Sequence, residues 1–276
     1  MGRTLYVTDL DGTLLNTHDR ISPYSTRTIN RLVEEGMLFT YATARSLVSA
    51  SVVAKGLSTN IPVIVYNGAF IINPATGEML SELYFQAEEI QKVRGLLMER
   101  QINPLVYAYV YGVEKLSWVT GTECEGCRHY LSRRPEDPRK RPLRDDRELY
   151  DGKVFYFTCI GEKEELQPVY DLLSRDGRFR CTLQRELYRP EFWLEIMPAK
   201  ASKAEAVRAL KKLWNCDRVV SFGDAVNDIP LFEESDECYA VANGVEELKA
   251  RATGVIGSNE EDGVARWLAG HAEKYA

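Results

Sequence analysis

The chain has 276 residues, with 35 basic against 41 acidic side chains, a formal charge of −6, and 45% hydrophobic residues beside 28% charged ones. That composition excludes a wholly disordered chain, and the length suffices for one large domain or two smaller ones. The acidic balance argues against nucleic acid as a partner and against an anionic membrane surface, since both reward clustered positive charge. The longest mainly apolar stretch, residues 61–72, is interrupted by Asn67 and Gly68 and is too short to span a bilayer. The N-terminal residues lack an apolar core followed by a small-residue cleavage site, so no secretory leader is expected. Six cysteines show no disulfide framework, which makes a reducing cytoplasm the expected location. With only His18, His129 and His271 present, chemistry that needs a histidine cluster is largely excluded.

Residues 5–8 form an apolar run ending at Asp9 and predict a buried strand. Ser22 and Pro23 then open a helix as N-cap and first helical residue, Ile29, Leu32 and Val33 give its apolar stripe, and Gly36 closes it. Residues 38–43 predict a second strand, 46–55 a helix stopped by Gly56, and 61–66 a third strand. The same alternation returns late in the chain, with a helix at 202–214, a strand at 218–222, a short helix at 229–234, and short strands at 238–242 and 254–256. Strands alternating with helices predict an α/β fold, a doubly wound parallel sheet with helices on its faces.

The middle of the chain reads differently. Residues 106–111 and 115–120 flank a glycine-containing turn as a hairpin, and 153–160, 179–187 and 192–196 are further strands rich in β-branched and aromatic residues. This predicts an α+β module inserted into the α/β domain, with residues 1–82 and 190–276 forming the core and 83–189 the insert. Tyr107, Tyr109 and Tyr111 alternate and are expected on one strand face. The charged, proline-containing stretch 128–147 is expected to be an exposed, partly mobile loop; the competing reading turns some of its arginines toward an anionic substrate. Cys124 and Cys127 form a C-x-x-C near His129, but no second pair completes a zinc site, so two reduced thiols are expected.

The chemistry concentrates at Asp9-Leu10-Asp11-Gly12-Thr13, directly after the first strand. A turn there, permitted by Gly12, brings both carboxylates to the carboxyl end of the sheet, where open α/β sheets bind ligands. Gly223-Asp224-Ala225-Val226-Asn227-Asp228 follows another apolar strand and adds two carboxylates and an amide. Four carboxylates on one sheet edge repel one another and require a cation. Mg²⁺ is one candidate, because it accepts carboxylates and keeps waters for substrate oxygens. Lys203, in the first turn of a predicted helix, is the other, although a lysine in that position is ordinarily surface charge.

Together these segments resemble the haloacid dehalogenase superfamily, in the order that family uses: DxDGT at residues 9–13, Thr43 ending a hydrophobic strand, Lys203 at a helix start, and GDxxND at 223–228. Residues 42–45, Asn67-Gly68-Ala69, the Lys203 segment and residues 258–265 make the Cof-type phosphatases the most similar group. Ala44 departs from the glycine common there. The resemblance implies a Mg²⁺-dependent phosphatase of a small phosphorylated metabolite, such as a sugar phosphate. Asp9 would be the nucleophile forming an aspartyl-phosphate, and Asp11 the general acid and base. Mg²⁺ would be held by Asp9, the Asp11 carbonyl and Asp224, with Asp228 binding directly or through water. Thr43 and Lys203 would hold phosphoryl oxygens, Asn227 would fix the polar cluster, and Arg45, Asn67 and Gly68 would contact substrate. The insert falls between the second and third motifs, which implies a C2-type cap. A phosphomutase and a non-catalytic phospho-ligand binder are the alternative functions.

Overall fold

Thr4–Thr8 (β1) is buried along its whole length, as a central strand covered on both faces must be. It pairs in parallel with Leu38–Tyr41 (β2) on one side and with Arg218–Gly223 (β12) on the other. In this computed structural model, which describes residues 2–133, 135–185 and 189–271, the chain divides into two compact units. One comprises Met1–Glu82 with Ala201–Ala276, and the other Leu83–Lys200.

The first unit carries a five-stranded parallel sheet, extended past β12 by Glu237–Val241 (β13) and Gly254–Ile256 (β14), in the order β14-β13-β12-β1-β2. Ser22 caps Pro23–Glu34 (α1), its hydroxyl accepting from the Ser25 amide at 3.0 Å, and Ser46 caps Leu47–Val53 (α2) likewise at 3.1 Å. The expected strand at 61–66 is shorter, because Val63–Val65 (β3) gives way at Tyr66 to a 3₁₀ turn. A parallel bridge between Ala42 and Ile64 sets β3 beside the end of β2. Phe70–Ile72 (β4) and Met79–Glu82 (β5) then form an antiparallel sheet with β3. Alternation along the strands divides the core. Leu5, Val7 and Val219 pack with Ala206, Val207 and Leu210, and Phe222 on the opposite face meets the ring of Trp267 at 5.2 Å. The sheet is therefore covered from both sides, by Lys203–Leu213 (α6 below) on one and Gly263–His271 (α9 below) on the other.

The second unit begins with Ala87–Glu99 (α3), followed by the hairpin Leu105–Val110 (β6) and Val113–Val119 (β7). Glu125–Ser132 (α4), Lys140–Leu143 (β8), Lys153–Gly161 (β9), Lys163–Ser174 (α5), Phe179–Arg185 (β10) and Phe192–Pro198 (β11) complete it. Its sheet runs β10-β11-β9-β6-β7-β8 and is antiparallel except at β7-β8. Val106, Ala108 and Val110 pack on one face with Val93, Leu97, Leu166 and Val169 from α3 and α5. Tyr107 and Tyr109 lie on the other, around Phe155.

Three expectations change. The strand at 192–196, read with the middle of the chain although the boundary was set at 190, pairs with β9 and β10, so the second unit runs on to Lys200. Tyr111 does not share the face of Tyr107 and Tyr109, because it sits in the hairpin turn at φ 50°. The stretch 128–147 is not a loop: it includes most of α4 and all of β8, and Arg139 is buried between Asp137 at 2.6 Å and Glu114 at 2.8 Å. Alternating charge of both signs reads as solvated until the pairs are seen to neutralise one another. Within that stretch, Arg134 lies outside the described residues, as do residues 186–187 of the strand expected at 179–187. No helix among the described residues is long and apolar enough to cross a membrane.

Following α6 and β12 come Ile229–Glu234 (α7), β13, Glu246–Lys249 (α8), β14 and α9.

Candidate active site

β1 continues into Asp9, whose amide donates to the Phe222 carbonyl at 2.9 Å, so Asp9 emerges at the carboxyl end of the sheet beside the end of β12. The chain then turns sharply, with the amides of Thr13, Leu14 and Leu15 all donating to the Leu10 carbonyl. Gly12 has φ +71°, and a Cβ there would lie 2.3 Å from an Asp224 oxygen. This position demands glycine both for its backbone and for the approach of Asp224. The Thr13 hydroxyl donates to Asp224 Oδ1 at 3.0 Å, which ties the first motif to the last.

Lys203 is the first residue of α6, capped by Ser202, whose hydroxyl accepts from the Glu205 amide at 3.1 Å. Its side chain is not on the surface: the residue is 2% exposed, and Nζ lies 2.5 Å from Asp9 Oδ1 and 2.7 Å from Asp228 Oδ1. The other Asp228 oxygen accepts from the amides of Asp224 at 3.0 Å and Ala225 at 3.2 Å. Asp9, Asp224 and Asp228 each present an oxygen within 4.8 Å of the others.

The charges do not balance, since one ammonium faces three carboxylates. Burial raises the Asp9 carboxyl well above its usual range, and Asp228, Asp224 and Asp11 push the same way against Lys203. Burial, followed by repulsion from Asp228, lifts Asp224 to about 7. For Lys203, burial alone favours the neutral amine, but Asp228 and Asp9 outweigh it and raise the pKa. Lys203 is therefore a fixed cation, and the site has an unmet demand for positive charge. The clustered donors are all carboxylate oxygens, which suit a hard divalent cation.

Thr43 follows β2 and is buried; its hydroxyl accepts from the Arg45 amide at 3.1 Å and its carbonyl from the Asn67 amide at 2.9 Å. The Tyr66 amide donates in turn to the Arg45 carbonyl at 3.0 Å, so the two loops are laced together. Tyr66, Asn67 and Gly68 all have positive φ, at 51°, 53° and 99°. A Cβ on Gly68 would lie 2.2 Å from the Ser202 carbonyl oxygen, so Gly68 lets this loop press against the residue that starts the Lys203 helix. Asn67 and Gly68 thus lie beside the helix start, and Asn227 lies half-buried on the loop of Asp224 and Asp228. No hydrogen bond among the described residues joins the Asn227 side chain to the acidic cluster.

Arg45 turns toward Asp11 and Asp19, its Nη2 lying 2.5 Å and 3.0 Å from them. Sequence reasoning placed Arg45 near substrate and missed this pairing, although the adjacency of β1 and β2 was a usable signal. It also missed the outer brace of the Asp9–Thr13 turn. Asn243 Nδ2 donates to the Gly12 carbonyl at 2.7 Å, Asn259 Nδ2 to the Leu15 carbonyl at 2.9 Å, and the Thr17 amide to Glu260 at 2.6 Å.

An acidic cluster with a buried lysine, at the carboxyl edge of a doubly wound parallel sheet, is a setting for chemistry on an anionic phosphoryl group. The sequence profile of haloacid dehalogenase-like hydrolases matches residues 6–268, and the chain belongs to that family, within its Cof-type branch. It is 25% identical to the 5-amino-6-(5-phospho-D-ribitylamino)uracil phosphatase YwtE of Bacillus subtilis, over 94% of this chain and 95% of that one. It is 24% identical to the pyridoxal phosphate phosphatase YbhA of Escherichia coli, over 95% of this chain and 96% of that one. A crystal structure from Thermotoga maritima superposes with a TM-score of 0.77 at 27% identity, covering 97% of each chain.

Proposed function

We propose that this chain is a Mg²⁺-dependent phosphatase that hydrolyses a small phosphorylated metabolite through an aspartyl-phosphate. The observation that carries the proposal is the buried Lys203 between Asp9 and Asp228, with Asp224 completing an oxygen cluster short of positive charge. Asp9, the Asp11 carbonyl and Asp224 would hold Mg²⁺, with Asp228 bound directly or through water. When bound, the ion supplies the charge that lets an anionic carboxylate and an anionic ester meet. Asp9 then attacks phosphorus in line, and Lys203 keeps its carboxylate oriented. Asp11 gives a proton to the departing oxygen and takes one from the water that cleaves the acyl phosphate. Thr43 and Lys203 steady the phosphoryl oxygens, and Arg45, Asn67 and Gly68 border the substrate.

The second unit lies in sequence between Thr43 and Lys203, and we assign it the role of the C2-type cap that selects the leaving group. The relatives named above act on a phosphorylated ribitylamino-uracil and on pyridoxal phosphate, which favours a small organic phosphomonoester here. The test is release of inorganic phosphate from a panel of phosphorylated metabolites, with and without Mg²⁺, by the native chain and by Asp9→Asn. Turnover that needs Mg²⁺ and is lost in Asp9→Asn is expected. Full activity in Asp9→Asn refutes the nucleophile, and isomerisation of a sugar phosphate without phosphate release points to a mutase instead.

A further inference from the structure

The C-x-x-C of the second unit takes no part in the site above, yet it is not a pair of unrelated thiols. Cys124 is the N-cap of α4, and its sulfur accepts from the Cys127 amide at 3.3 Å. The Cys124 thiol donates to the Ile160 carbonyl at 3.2 Å, near the end of β9, and must shed that proton before it attacks. The 3.3 Å contact with the Cys127 amide sets the Cys124 sulfur directly beside the second cysteine. Cys124 is half-buried and Cys127 fully buried behind it, so a reagent from solvent meets Cys124 first. Gly126 helps the helix start settle against β9, since a Cβ there would lie 2.5 Å from the Ile160 side chain.

We propose that Cys124 and Cys127 are a reversible dithiol–disulfide pair, with Cys124 the attacking thiol and a small disulfide of the glutathione class the oxidant. The Cys124 thiolate attacks one sulfur of the small disulfide, forming a mixed disulfide and expelling one thiolate. Cys127 gives its proton to that thiolate and attacks the Cys124 sulfur, expelling the second small thiolate, which takes up from solvent the proton that Cys124 gave up. Two protein thiols are oxidised to one disulfide, and one small disulfide is reduced to two thiols. The asymmetry of the pair fits these roles. The neighbouring Cys127 side chain, with the Cys127 and Gly126 amides, draws Cys124 down to about 6 against burial and Glu191. Cys127, beside Cys124 and buried, is pushed upward. Low-pKa thiols at helix starts are the reactive ones, and buried thiols are inert until a neighbour presents an electrophile.

The test uses the intact chain incubated with oxidised glutathione, followed by alkylation of free thiols and peptide mapping. The expected result is equal loss of alkylation at Cys124 and Cys127, with one peptide linking them, reversed by dithiothreitol. Cys127→Ser should stop at glutathione on Cys124, and Cys124→Ser should leave Cys127 unmodified in the folded protein. The proposal is overturned if both thiols stay alkylatable in the native chain. It is equally overturned if glutathione stays on Cys124 there, or if Cys181 is consumed first. The native-chain arm decides the matter even if a variant fails to fold, and none of it depends on phosphatase turnover.

Discussion

Arg45 closes over Asp11: its Nε lies 3.0 and 2.9 Å from the two Asp11 oxygens, and its Nη2 2.5 Å from Oδ1. The fork takes one side of the proposed general acid and orients it, while the remaining lone pairs of the carboxylate stay open to a leaving group. A charge-assisted fork of this kind holds a carboxylate in one orientation more firmly than a point charge does. Arg45→Ala is expected to lower kcat/KM by about 10–100-fold, the equivalent of ~1.5–3 kcal/mol for hydrogen bonds to a charged group. Arg45→Lys keeps the charge but loses the fork, and should recover only part of the loss. Steady-state kinetics on the best substrate checks this; a lysine variant equal to the native chain would leave the fork without a role.

Lys203 stands between two carboxylates, and its loss exposes their repulsion. Removing one partner of a buried ion pair typically destabilises by about 3–5 kcal/mol. Lys203→Met should fall in that range in urea unfolding and should lose measurable turnover. Asp9→Asn removes one uncompensated negative charge, so the double variant is expected to be more stable than Lys203→Met alone. A double variant whose losses simply add contradicts the coupling inferred from the 2.5 Å contact.

Much of this site was legible in the sequence, for a physical reason. Asp9, Asp224 and Thr43 each lie just past an apolar strand, and parallel strands must end together at one sheet edge. Lys203 was less legible, because the first turn of a helix ordinarily faces water; only the carboxylates that bury it reveal its place. The Arg45–Asp11 fork and the hold of Asn243 on Gly12 depend on loop conformation, and no periodicity records that. In the second unit every sheet strand except β8 was visible from its β-branched and aromatic run. The order of 128–147 was hidden, because Arg139 and its acidic partners look like solvated charge until they are paired.

The pH response of the metal-free protein follows from Asp224. Its pKa of about 7 in the fold exceeds the ~3.9 of an unfolded aspartate, so the native state keeps a proton that the unfolded chain has released. Its contribution to stability is therefore present below the unfolded value and is lost as pH rises through about 7. Mg²⁺ requires ionised carboxylates and competes with that proton. Its stabilising effect should therefore be small at about pH 5.5 and larger at about pH 8.5. Thermal unfolding with and without Mg²⁺ at both values checks the sign; a larger shift at the acidic value would reject the carboxylate cluster as the metal site.

Gly68 links the Asn67 loop to the helix that presents Lys203. With φ +99° and a Ser202 carbonyl 2.2 Å from where a Cβ would stand, Gly68→Ala forces either the loop or the Ser202 cap to move. The strain of such a backbone position is about 1–3 kcal/mol. A shift of Ser202 also displaces Lys203 from Asp9, so activity should fall along with stability. Gly95→Ala is the control: it lies within α3, and a Cβ there has nothing within 4 Å. That control should be neutral or slightly stabilising, because alanine is the better helix former. Comparing the two variants by thermal unfolding and by kcat/KM separates a local effect at the Lys203 helix from a general intolerance of added methyl groups. Equal kcat/KM in both would show that the approach of Gly68 to Ser202 does not set the position of Lys203.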